Sequence, residues 1–186
     1  MIFHNSPILY AHMKEPSARH KELSERSRLT WTAAGHIDHF SVILIFIVSL
    51  LSAAALIIWS VVSQPDIGYI TSWFPEVGTA LVILGGFGFA VTNSLAEEII
   101  FRGILWEGIS FLIGKGFLCI GVQALIFALW HYKGFPGGPA GSILVFLWGL
   151  LLGILRARTG DMHAPMIAHF FSDMVIFLLL FFKICY

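Results

Sequence analysis

From position 40 onward the chain alternates long apolar runs with short segments rich in glycine, proline and charge. Phe40 to Ser63 is one such run, and its 24 residues exceed the roughly 20 a helix needs to cross a bilayer. The segment Gln64 to Trp73 holds Pro65, Asp66 and Gly68 and reads as a loop. From about Pro75 to Ile113 the pattern predicts one very long helix, or two helices meeting near Gly85, Gly86 and Gly88. At about 1.5 Å per residue such a helix is longer than the membrane is thick, so a bend or a protruding end is required. Gly114-Lys115-Gly116 is a turn, and Phe117 to His131 is a third apolar run. A helix-breaking segment from His131 to Gly141 follows, with Pro136 and Pro139 among four further glycines. Ser142 to Leu155 and His163 to about Phe182 are the fourth and fifth runs, with Pro165 tolerated in the first turn of the last. Gly149 and Gly153 make a small-xxx-small pair, a signature of close helix packing. The pattern therefore predicts an all-α, polytopic transmembrane bundle of five spans, or six if the second run crosses twice. It predicts two parts, a polar N-terminal arm over 1–39 and a transmembrane helical domain over 40–186.

Composition sharpens that reading. The 186 residues are 58% hydrophobic and only 12% charged, with mean hydropathy +0.85. Soluble domains carry about 25% charged residues, so the chain reads as an integral membrane protein. The formal net charge is zero, which leaves no basic field for a nucleic acid partner. Cys119 and Cys185 offer neither a disulfide framework nor metal spacing. The first 30 residues lack an apolar signal-peptide core, so the N-terminus is expected to be retained. The arm carries five basic residues, and a short helix from about Pro16 to Leu29 fits its start signal. In an alternating five-span arrangement the arm, the Lys115 turn and the Arg156/Arg158 loop share one side and hold eight of the eleven basic residues. Cytoplasmic loops are enriched in Lys and Arg, so the arm is expected in the cytoplasm and Tyr186 outside, in the plasma (inner) membrane.

Against this apolar background stands Glu97-Glu98-Ile99-Ile100-Phe101-Arg102-Gly103. Each ionisable group near a bilayer centre costs on the order of 2.5–3.5 kcal/mol on insertion scales, so three within six positions need compensation. Glu98 and Arg102 are four apart and can pair on one helix face. Glu97 points about 100° away and is left for other work. His131 closes the third run, and His169 and Asp173, again four apart, sit on the fifth. Glu97 lies about 24 Å from Ile113 along its helix and His131 about 21 Å from Phe117 along the next. A hairpin turning at Lys115 therefore brings them to similar depth. His169 and Asp173 lie about 9 and 15 Å into the last helix and can reach the same level. Lipid-facing charge is costly, so these groups are expected to converge on an internal, water-accessible cavity. Convergent acid/base groups with a hydrogen-bond donor are the minimum set for hydrolysing an amide. Glu97, His131, His169 and Asp173 also form a plausible oxygen/nitrogen ligand set for zinc. A proton-relay transporter and a non-catalytic immunity or peptide-binding component are the alternatives of other classes; no inverted repeat supports the transporter.

The order E-E-x-x-x-R, F-x-x-x-H and H-x-x-x-D, here Glu97-Glu98…Arg102, Phe127…His131 and His169…Asp173, resembles the CPBP family of intramembrane peptidases. That family includes type II CAAX prenyl endopeptidases and bacteriocin-processing and immunity proteins. The likeness covers about 95–175 and includes Trp148-Gly149, Arg156, Thr159-Gly160 and Ala164-Pro165. It implies an endopeptidase acting on a membrane-associated or lipidated protein or peptide, with the bilayer as its other partner. It further implies that Glu97, helped by His131, activates water, that His169 and position 173 stabilise the oxyanion, and that Glu98 and Arg102 hold the glutamate helix. Position 173 is often Asn in the family and is Asp here. An ionised Asp cannot donate to an oxyanion, which leaves protonation, orientation of His169 or metal binding as its roles. The cofactor expectation is accordingly none or zinc.

Overall fold

The computed structural model describes residues 37–68 and 78–185, the last three by backbone alone. The N-terminal arm with its expected short helix, most of the loop after Pro65 and the Cys185 side chain lie outside the described residues. Every described element is helical. We label them α1 (His39–Ser63), α2 (Thr79–Ile113), α3 (Phe117–Trp130, continued by a 3₁₀ turn His131–Lys133), α4 (Gly138–Thr159) and α5 (His163–Cys185).

Four of the five, α1, α2, α4 and the portion His163–Phe182 of α5, are long and apolar enough to cross a membrane. The third differs from the expected full span. Phe117–Lys133 is shorter, and its helix ends at Trp130 because Gly134, Pro136 and Gly137 follow within seven residues. The second run forms one helix rather than two. Gly86 continues the helix and lets α5 approach, for a Cβ there would meet the Phe177 ring at 2.1 Å. The exterior of the described residues is largely apolar, and the interior combines apolar side chains such as Val48, Phe127 and Leu152 with buried polar ones. Leu112 and Phe117 are 78% and 88% exposed, whereas Glu98, Arg102, Gln123, Arg156, His169 and Asp173 are buried. An apolar exterior suits a hydrocarbon solvent, and the protein is an integral membrane protein.

Helix α5 is central, packed against α1, α2 and α4, while α3 packs between α4 and the second half of α2. At the α3–α4 contact, a Cβ on Gly149 would press on Ala124 and Phe127, and one on Gly153 would lie 2.9 Å from Ile120. The small-residue pair thus lets the two backbones close up, as expected. Asp38 caps α1 by accepting from the Ser41 amide at 2.8 Å, and its other oxygen takes Arg158 Nη2 from the end of α4 at 3.0 Å. The start of α1 and the end of α4 therefore share one face.

Inside α2 the turns widen to π-helix over Ile99–Leu105. Gly86, Ala90, Ser94, Glu98, Arg102 and Trp106 are all buried at four-residue intervals. In a straight α-helix such a stripe drifts about 40° per step. The wider turn takes part of that drift back, so Glu98, Arg102 and Trp106 stay on the inner face. Arg156 of α4 donates from Nε to the Arg102 carbonyl at 3.0 Å and reaches Glu107 at 3.2 Å, which fixes the widened turn from outside.

Candidate active site

Four groups expected from the sequence to converge, Glu97, His131, His169 and Asp173, do so at one end of a cavity, with Glu98 buried behind them. Helix α2 supplies Glu97 and Glu98, the end of α3 supplies His131, and α5 supplies His169 and Asp173. Arg102, one turn beyond Glu98, stands behind them. Its Nη1 donates to Glu98 Oε1 at 2.8 Å, with both side chains fully buried. Its guanidinium also covers the Phe127 ring at 4.6 Å. The expected i, i+4 pair is thus present, and it is shared: His169 Nδ1 lies 2.7 Å from the same Glu98 oxygen.

That contact settles the histidine tautomers. Glu98, paired with Arg102, is an acceptor, so His169 Nδ1 carries the proton. His131 Nδ1 faces the Phe127 carbonyl at 3.0 Å, and a carbonyl only accepts, so its Nδ1 is likewise the donor. Both rings are therefore held by Nδ1 and turn Nε2 towards Glu97. The two Nε2 atoms lie 3.6 Å (His131) and 3.5 Å (His169) from Glu97 Oε2. That oxygen is buried and takes no hydrogen bond from the described residues. Aromatic rings pack against the imidazoles, Trp148 edge-on to His169 at 4.6 Å and Phe127 against His131 at 4.4 Å.

Asp173 lies one turn beyond His169, with Oδ1 at 3.6 Å from His169 Nε2. Its other oxygen accepts from Asn93 Nδ2 at 3.2 Å. Asn93 was not among the residues expected from the sequence. The signal that marks it is its spacing: it precedes Glu97 by four residues and so shares its face. Trp148, Phe127 and Gln123 also build the site. Gln123 donates to the Gly149 carbonyl at 3.0 Å, tying α3 to α4 beside Arg102. Ser52 and Ser172, 2.7 Å apart, join α1 to α5 next to Asp173.

The cavity measures about 740 Å³. Asn93, Glu97, His131, His169 and Asp173 line its polar end, while Leu81, Phe89, Ile176, Phe177 and Leu180 line the apolar remainder. The arrangement can hold a polar reacting group against one free carboxylate oxygen and two imidazole nitrogens, with an apolar segment alongside. Among the described residues no group of three or more His, Cys, Asp or Glu side chains is placed closely enough to hold a metal ion.

Comparison with known proteins follows the same residues. The chain is 27% identical over 109 residues to the sporulation-killing factor biosynthesis protein SkfC of Bacillus subtilis (strain 168). The match covers 55% of this chain and 22% of that protein, so the chain spans about a fifth of the length of the curated relative it matches. No solved structure matches it. The family model "Type II CAAX prenyl endopeptidase Rce1-like" matches residues 78–175, more than half of the chain and the whole of the polar cluster. By that match the chain belongs to the type II CAAX prenyl endopeptidase Rce1-like family.

Proposed function

We propose that the protein is an intramembrane endopeptidase in which Glu97 activates water against a peptide bond without a metal. The observation that carries this reading is Glu97 Oε2, which takes no hydrogen bond from the described residues, facing His131 and His169 Nε2 at the wall of the cavity. A water held by Glu97 and His131 Nε2 gives its proton to Glu97 as its oxygen attacks the substrate carbonyl. The negative oxygen that develops takes a hydrogen bond from Nε2–H of protonated His169, whose Nδ1–H rests on Glu98. When the C–N bond breaks, the proton on Glu97 passes to the leaving amine. Glu98 and Arg102 act through His169 and through the backbone of α2 and touch no substrate in this scheme. The substrate is a membrane-anchored or lipidated polypeptide, because the rest of the cavity wall is apolar. The test is proteomics of membrane and secreted fractions from cells making the wild type or Glu97→Gln. New peptide ends confined to the wild type support the reading, and identical ends in both would sink it.

Metal independence has its own check. Purified protein treated with a strong chelator is expected to keep its full cleavage rate. Zinc present at one per chain, lost with activity and restoring it on re-addition, would reverse that conclusion.

We also propose that the arm over 1–39 lies in the cytoplasm of a cell bounded by the plasma (inner) membrane. The support is the contact of Asp38, at the start of α1, with Arg158, at the end of α4, which sets a basic loop on the face where α1 begins. Reporter fusions are expected to place the N-terminus inside and Tyr186 outside. Both ends on one side would contradict the five-helix alternation.

A further inference from the structure

Asp173 is the one carboxyl of the site that the proposed reaction leaves without a task. Its surroundings set a problem. His169 Nε2 has two carboxyl oxygens at nearly the same distance, Glu97 Oε2 at 3.5 Å and Asp173 Oδ1 at 3.6 Å. The terminal torsion of an Asp is broad and two-fold, so this carboxyl can rotate unless something holds it. The groups around it come from several helices. Helix α2 brings Glu97 and Glu98, α5 brings His169, and the end of α3 brings His131. Helix α1 brings Ser52, bonded to the neighbouring Ser172, and α4 brings Trp148, which is uncharged and packs on His169. The hydrogen-bond donor that reaches Asp173 is Asn93 Nδ2, at 3.2 Å from Oδ2. Asn93 lines the cavity one turn before Glu97. An amide is suited to the position, because it donates to a carboxylate without adding another charge to the cluster.

We propose that Asn93 is a positioning residue of this site: by holding Asp173 Oδ2 it keeps Oδ1 against His169, and so fixes the direction in which His169 Nε2 faces Glu97. This rests on the peptidase reading above. Asn93 touches neither water nor peptide in this scheme; it acts through Asp173 on His169, and its side chain also reaches Glu97 one turn on. A packing role would be filled equally by leucine, which has the same shape and no donor. A positioning role needs one donor and one acceptor across the α2–α5 gap, in either order.

The experiment uses full-length protein in proteoliposomes with a quenched-fluorescence peptide bearing a farnesylated C-terminal cysteine motif. Asn93→Leu is expected to lower kcat about 10–100-fold with KM unchanged, the size of loss known for outer groups that orient metal-ligating histidines. Asn93→Asp sets two carboxyls face to face and is expected to be at least as slow. The reversed pair Asn93→Asp/Asp173→Asn restores one donor opposite one acceptor and is expected to recover most of the lost kcat. Infrared spectra of the same proteins supply a readout independent of cleavage. The Asp173 carboxyl band, assigned by its loss in Asp173→Asn, is expected to shift in Asn93→Leu. Wild-type kcat in Asn93→Leu, a reversed pair no faster than Asn93→Asp, or an unmoved Asp173 band overturns the proposal. If Glu97→Gln cleaves the peptide as fast as wild type, or wild type does not cleave it, the peptidase reading fails instead. The infrared band then decides by itself whether Asn93 holds Asp173.

Discussion

Glu97→Gln is expected to lose at least about 100-fold in cleavage rate while its melting temperature in detergent stays close to that of the wild type. The first half follows from what the side chain faces. Its Oε2 is directed at two imidazole Nε2 atoms and accepts no hydrogen bond from the described residues, so it is open to a water proton. A positioned general base contributes about 10²–10⁴-fold, and a glutamine amide cannot take a proton from water. The second half follows from what the side chain does not hold. Neither Arg102 nor any helix end is paired to Glu97; those tasks fall to Glu98 and to Asp38. Glutamine has the same volume and keeps an oxygen towards the histidines. Single-turnover cleavage beside thermal unfolding of the two proteins measures both halves. A Glu97→Gln protein that cleaves at the wild-type rate would remove Glu97 from the reaction.

The approach of Glu97 to His131 was legible in the sequence because it depends only on a tight turn and a helical rise. Counting about 24 and 21 Å back from the Lys115 turn puts the two side chains at one level, and they lie 3.6 Å apart. The same counting left His169 and Asp173 about 9 and 15 Å deep, too shallow by that measure. Part of the reason is an overhang. Arg156, three residues before the end of α4, reaches Glu107, six residues before the end of α2, so α2 runs about three residues past the level at which α4 ends and α5 begins. That overhang removes about 5 Å of the difference in depth between Glu97 and Asp173. Which helix ends are flush is a property of packing and leaves no trace in a hydropathy pattern. Asn93 was hidden for a related reason. In a membrane helix the outer face is apolar and the inner face is small or polar, so an apolar moment does not show which polar residue turns inward. The four-residue stripe Gly86, Ala90, Ser94, Glu98, Arg102 was the usable signal for the inner face, and it also foreshadows the π turn that keeps it straight. The bounds of the third helix were legible, because the glycines and prolines from Gly134 onward mark its end and the helix stops at Trp130; at 14 residues it is simply shorter than the other four.

Glu98→Gln is expected to behave in the opposite way to Glu97→Gln, with a large loss of stability beside any loss of activity. Glu98 and Arg102 are both 0% exposed and joined at 2.8 Å. Glu98 also accepts from His169 Nδ1, while Arg102 has a second contact to the Gly149 carbonyl at 3.5 Å and covers the Phe127 ring. Removing the carboxylate charge strands a guanidinium inside a bundle whose outside is lipid, and breaking a buried pair from one side costs about 3–5 kcal/mol. Arg102→Met strands the carboxylate instead, although His169 still donates to it, so the loss should be somewhat smaller. In Glu98→Gln/Arg102→Met no charge is left unpaired. The methionine chain fills the guanidinium's place against Phe127, and the glutamine oxygen still receives His169 Nδ1–H. The double variant is therefore expected to be more stable than Glu98→Gln alone, with an interaction energy of about 0.5–3 kcal/mol in the cycle. It should nevertheless remain slow, because a neutral amide in place of the Glu98 carboxylate no longer supports a protonated His169 at the developing oxyanion. Thermal unfolding in detergent and single-turnover cleavage, measured for all four proteins, separate the two effects. Additive losses, with the double variant the least stable of the four, would show that Glu98 and Arg102 are not acting as a pair. A stable but inactive Glu98→Gln, next to an unstable but active Glu97→Gln, would exchange the roles assigned to the two glutamates.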